Sequence, residues 1–238
     1  MGKFKVAILG NLNESYLPHY TMNTVFSDFQ QSFPFEFKWV PTESLTENVA
    51  DKLNTYSGIV AGSGPYTSKD GVINGIRHAR LNNIPFFGTC SGFGYAVLEC
   101  AQSFFNLADV QHPHDNNLPE NEVFLQQLNV CGIGMHSIGF NPVKETLASI
   151  IYNNQELVHE ESHCMYGVSY NMIEKFKDHG LIVSGTDSDG EPKILEYAKN
   201  DFFVITLFLP QLKSTLANPH PLILMFLQSA MKKVLSAV

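Results

Sequence analysis

The run Ile84-Pro85-Phe86-Phe87-Gly88-Thr89-Cys90-Ser91-Gly92-Phe93-Gly94 sets an apolar strand-like segment, a cysteine and the start of a helical pattern end to end. A short buried strand that stops at a cysteine flanked by Gly88, Ser91 and Gly92 reads as a nucleophile elbow. Small residues let the backbone turn sharply, and the turn holds the side chain out over the end of the sheet. A helix starting at Ser91 would aim its free N–H groups at the sulfur and favour thiolate. These N–H groups could also donate to an oxyanion. Gly62-Ser63-Gly64, at the end of the preceding apolar segment, could supply a second donor. The elbow thus nominates Cys90 as nucleophile, with Gly62, Ser63 and Ser91 as an oxyanion hole.

Outward from the elbow, the chain alternates. Residues 4–9 are a continuous apolar run ending at Gly10, as in a buried parallel strand. Met22, Val25, Phe26 and Phe29 recur at helical spacing within 19–33, and 35–40 is strand-like. Helix starts follow at Pro41-Thr42-Glu43 and Thr46-Glu47, then a strand over 58–61. The spacing of Val72, Ile73, Ile76 and Ala79 predicts a helix over 70–82, with Arg77, His78 and Arg80 on its solvated face. The order β-α-β-α-β predicts an α/β fold: a three-layer, flavodoxin-like, doubly wound and mostly parallel sheet. Residues 107–135 read as loop with short inserted elements. Strands are expected at 155–160, 165–170, 181–186, 194–197 and 202–208, and a terminal helix at 221–234. No linker or repeat interrupts residues 1–238, which read as one domain.

Composition narrows the chemistry. With 15 Lys+Arg against 23 Asp+Glu, the net charge of −8 leaves no basic face for nucleic acid. The longest apolar run, 202–210, is too short to cross a membrane, and the N-terminus carries no signal-peptide pattern. Cys90, Cys100, Cys131 and Cys164 form no CxxC pair, so a reducing cytoplasm is expected rather than a zinc site or a disulfide framework. His112-Pro113-His114-Asp115 has ligand-like spacing but no identifiable third ligand, so no metal is assigned. No Walker loop or GxGxxG follows the first strand, so no cofactor is expected.

At these residues the chain resembles class I glutamine amidotransferases, and most of all the glutaminase half of CTP synthases. The likeness runs through 59–64, Ile76-Arg77-His78-Ala79-Arg80, 84–88, Cys90-Ser91-Gly92, Tyr166-Gly167-Val168 and Pro219-His220-Pro221-Leu222. It implies a small-molecule substrate. It also implies a substrate-binding set of Gly64, Gly94 and Glu99, with Glu99 standing where the family has a helix glutamate that receives the substrate amino group. No synthetase region accompanies the likeness, so the ammonia-using partner would be a separate synthetase, or the chain would work as a homo-oligomer. The family completes its triad with His-Pro-Glu, whereas here the segment reads Leu209-Pro210-Gln211. Leucine cannot accept a proton. His163 is the expected replacement base, with His136 as runner-up, and His220 reads as a helix start. The expected activity is Cys90-dependent hydrolysis or acyl transfer on a small amide or amino-acid-like compound. The alternative is an inactive binding or regulatory protein of the same fold.

Overall fold

The structure, a computed structural model, describes residues 3–110, 123–128 and 134–236. The His112-to-Asp115 motif and Cys131 lie outside the described residues. Strands β1 (Phe4–Leu9), β2 (Phe35–Val40), β3 (Gly58–Ala61) and β4 (Phe86–Thr89) alternate with helices α1 (Leu17–Phe29), α2 (Val49–Leu53) and α3 (Lys69–Leu81). Helix α4 (Ser91–Phe104) leaves directly from β4. Later come β5 (Leu125–Gln127), β6 (His136–Pro142), α5 (Leu147–Ile151), β7 (Val158–Ser162), β8 (Tyr166–Val168) and α6 (Ile173–His179). The chain closes with β9 (Leu181–Thr186), β10 (Pro192–Tyr197), β11 (Phe203–Thr206) and α7 (Pro221–Leu235).

The main sheet runs β2-β1-β3-β4-β11-β10-β9-β6-β7. Pairings from β2 through β11 are parallel, and those from β11 to β7 are antiparallel. The parallel part is the doubly wound, flavodoxin-like arrangement expected from the alternation, in which ligands sit beyond the carboxyl ends of the strands. Period-two alternation feeds both faces. From β1, Ala7 and Leu9 join the core under α3 and α4, while Val6 and Ile8 join the core under α1 and α7. At roughly 1.5–3 kcal/mol for each fully buried large apolar side chain, these two layers supply the main force that holds the sheet flat against its helices.

The local differences have physical causes. Pro85 lacks an N–H, and β4 begins one residue after it. β6 falls where no strand was expected, because its sequence, His-Ser-Ile-Gly-Phe-Asn-Pro, has no clean alternation. It becomes strand through antiparallel pairing along β7 and two residues of β9. α5 and α6 are short helices that local propensity did not reveal. α3 is capped by the Ser68 hydroxyl, which accepts from the Gly71 N–H at 3.1 Å.

The face of α3 needs correction. His78 and Arg80 were expected in solvent, but both are buried. Arg80 packs against the stacked rings of Phe104 and Tyr197, 5.1 and 5.4 Å from their centroids. α4 packs alongside α3 and covers what would otherwise be the outer face.

Candidate active site

Cys90 is the hinge between β4 and α4. Its backbone sits at φ 55° and ψ −114°, a conformation that L-residues rarely adopt and that only the surrounding structure can hold in place. Its N–H donates to the Thr206 carbonyl at 3.0 Å, and its carbonyl accepts from the Phe93 N–H at 3.0 Å. Gly92 lets the first turn of α4 come down onto β3. A Cβ there would lie 1.9 Å from the Ala61 carbonyl oxygen, so no other residue fits without moving the helix. The Gly92 N–H instead donates to the Gly62 carbonyl at 3.1 Å, which ties the elbow to the neighbouring loop.

That loop is oriented by a residue that no sequence motif singles out. His19, buried in α1, accepts the Asn13 N–H at Nδ1 (3.2 Å), so its Nε2–H donates to the Ser63 carbonyl at 2.7 Å. The Ser63–Gly64 peptide is trans, so fixing the carbonyl toward His19 sends the Gly64 N–H the opposite way. Gly64 lies against Ser91, because a Cβ on it would stand 3.1 Å from Ser91 Oγ. Gly62 offers its carbonyl to Gly92 and to the Tyr66 hydroxyl. Within the expected set, the donors facing the pocket are therefore best sought at Gly64 and Ser91, with Gly62 in a supporting role. A helix residue 71 positions upstream of Cys90 and spaced to no motif could be found only once α1 was seen to cross this loop.

Cys90, Ser91, Gly64, Gly94, His163 and Cys164 open on one cavity of about 440 Å³, walled further by tyrosines 16, 66, 95 and 166. Among the described residues that line it, none is Asp, Glu, Lys or Arg. A hydrogen bond from the Cys164 thiol lowers the Cys90 thiol below its ordinary range. Burial opposes this, and Ser63 and the Ser91 backbone N–H assist it. The Ser63 hydroxyl is buried and has no other partner at hydrogen-bond geometry, which leaves it available to the sulfur. Burial and the neighbouring Cys90 push the Cys164 thiol well up. Of the two, Cys90 is thus the sulfur whose surroundings favour the ionised form, and Cys164 the one held protonated. With Cys90 shifted down and Cys164 and Cys100 shifted up, limiting iodoacetamide at pH 7 should label Cys90 well ahead of the other two. Labelling should fade only as the pH falls through the depressed Cys90 value. Cys164→Ala should move that midpoint upward. Mass mapping of tryptic peptides across pH is the check, and preferential labelling of Cys164 or Cys100 would sink the assignment.

The remaining expected site residues separate. Glu99 is not at the pocket. It is fully buried, and it accepts Arg80 Nε and Nη2, each at 2.8 Å, and the Ser103 hydroxyl at 2.7 Å, with Arg77 Nε 3.3 Å away. Two and a half turns beyond Cys90, α4 points this carboxylate at α3, so the expected substrate-amine role is replaced by a buried ion pair. Burial alone would lower the Arg80 guanidinium, but Glu99 outweighs it and raises it. His136 opens β6, holds the Gly134 carbonyl at 3.1 Å and does not line the cavity. His220 caps α7 and binds Glu160 at 2.7 Å, as expected of a structural residue. Leu209, expected at the family's histidine position, is fully buried, and Gln211 donates to the Pro18 carbonyl at 3.4 Å.

Three comparisons bear on this arrangement. The model of the class I glutamine amidotransferase family matches residues 30–223. CTP synthase of Staphylococcus saprophyticus is 30% identical over 250 residues, covering 97% of this chain and 45% of that protein. CTP synthase of Staphylococcus aureus is 28% identical over 251 residues, again covering 97% of the chain and 45% of the relative. The chain thus spans about half the length of these relatives. The structure of the glutaminase domain of Trypanosoma brucei CTPS with bound acivicin is similar in fold, with a TM-score of 0.85 and 21% identity, covering 97% of this chain and 94% of that one.

Proposed function

The chain belongs to the class I glutamine amidotransferase family, and from that premise we propose that it is a Cys90-dependent acyl-transfer enzyme acting on a small, neutral amide. The observation that carries this reading is the strained elbow, which presents a sulfur of lowered pKa to a cavity. A thiol whose surroundings favour the ionised form needs less help from a base to become a nucleophile. Cys90 Sγ attacks the amide carbon, and the charge that develops on oxygen is met by the N–H groups of Gly64 and Ser91. The leaving amine takes a proton from Cys164 or from His163. Water then cleaves the thioester with His163 as base. Ammonia released this way would feed a synthetase partner.

The lack of charged side chains among the described lining residues speaks for a neutral amide over free glutamine, whose carboxylate and ammonium both need partners. The binding-protein alternative is supported by Leu209 and Gln211 and is separated by a single assay. Incubation with a panel of small primary amides should release ammonia and, on rapid acid quench, leave an acyl adduct on Cys90. Cys90→Ala should abolish both, and His163→Ala should let the adduct accumulate. Ligand binding without ammonia or adduct would establish the binding protein instead.

A further inference from the structure

Cys164 is built into the site by a chain of contacts to the segment that also holds Cys90. The Ser162 hydroxyl donates to the Leu207 carbonyl at 2.7 Å and accepts the Cys164 N–H at 3.2 Å, and the Leu209 N–H donates to the Glu161 carbonyl at 2.8 Å. The same stretch after β11 holds the Cys90 backbone through the Thr206 carbonyl. Residues 206–209 therefore anchor both cysteines, and in place of an imidazole at 209 the fold brings in a second sulfur at 164. Both are free thiols, both are almost fully buried, and both line the one cavity.

We propose that Cys90 and Cys164 are a two-electron redox centre that reduces a hydroperoxide and closes to an intramolecular disulfide. The Cys90 thiolate attacks the terminal peroxide oxygen, the O–O bond breaks, and the departing alkoxide is protonated to an alcohol, which leaves Cys90 as sulfenic acid. Cys164 sulfur then attacks Cys90 sulfur. The S–O bond breaks, and hydroxide leaves with the Cys164 proton as water. Sulfur is oxidised and peroxide reduced: one hydroperoxide and two thiols give one alcohol, one water and one disulfide. A dithiol reductant restores the pair by exchange. Two features favour this chemistry over a lone reactive cysteine. The two sulfurs line the same cavity, and the surroundings favour the ionised form of the attacking sulfur and the protonated form of the resolving one. No general base is needed, because each proton released is consumed by a leaving oxygen. That suits a site whose expected base position is occupied by a buried leucine.

The centre stands independently of the amide reading, and each can fail alone. The test is to reduce the full chain, remove reductant, add one equivalent of hydrogen peroxide, and block remaining thiols with an alkylating agent. The expected result is loss of two hydrogens' mass, one tryptic cross-link joining the Cys90 and Cys164 peptides, and return of both thiols with dithiothreitol. Cys100 should remain alkylatable after unfolding. Cys164→Ser should instead accumulate a dimedone-reactive sulfenic acid on Cys90. The proposal is overturned if wild-type Cys90 proceeds to sulfinic or sulfonic acid without the cross-link, if the disulfide joins another cysteine, or if Cys90 stays reduced. The wild-type map needs no variant to fold. Ammonia release from amides, measured on the same sample, reports the other activity separately.

Discussion

Glu99→Ala should lower the unfolding free energy by about 3–5 kcal/mol, the largest stability effect expected of any single surface-to-core charge in this chain. The carboxylate is the sole anion against Arg80 among the described residues: two hydrogen bonds of 2.8 Å join them, and their side chains are 0% and 6% exposed. Alanine would leave a guanidinium desolvated and unpaired against two aromatic rings. Removing both charges together, as Arg80→Met with Glu99→Leu, should recover most of the loss, because apolar replacement of a buried pair is often close to neutral. Urea denaturation followed by circular dichroism measures both. If Glu99 served the substrate instead, Glu99→Ala would raise KM and leave the midpoint of unfolding where it was.

Free glutamine should be turned over about 10²–10⁴ times more slowly than by a relative that carries the His-Glu pair, which is what a missing general base typically costs. The lowered Cys90 pKa eases the attack step, so the deficit should fall on the water-activated second step. A pre-steady-state experiment should show a small acyl-enzyme burst followed by very slow release. Leu209→His with Gln211→Glu should recover part of the rate, because Leu209 already sits in the apolar cluster that contains Cys90 and Cys164. Residue 211 would then exchange a buried amide whose oxygen has no partner for a carboxylate that has one. Ammonia release by the wild-type chain within tenfold of a triad-bearing relative would refute the expectation and require a base in contact with Cys90.

How much of this was written in the chain varies by residue. The strands at 4–9, 35–40 and 58–61, the elbow and α3 were legible because each is a local pattern: an apolar run bounded by glycine, a 3.6-residue spacing, a cysteine set among small residues. The family resemblance was legible for the same reason, since its motifs are short and contiguous. β6, α5 and α6 were not, because a strand of mixed polarity and helices of five and seven residues form only when a neighbour pairs with them or covers them.

The sequence by itself determined that Cys90 stands at a turn between strand and helix, and that Leu209 and Gln211 carry no group able to accept a proton as a catalytic base. Side-chain chemistry and near-neighbour geometry suffice for both. Only the tertiary structure decided what surrounds that cysteine. It turned Glu99 away, because the phase of α4 faces α3 at that position. It turned the Ser63–Gly64 peptide, because His19 on α1 takes its carbonyl. It brought Cys164 to Cys90, because β7 is hydrogen-bonded to the segment that follows β11. Each of these contacts joins residues 19 to 74 positions apart. Spacing along a chain fixes direction only over a few residues, and beyond that the packing of sheet and helices sets which groups meet.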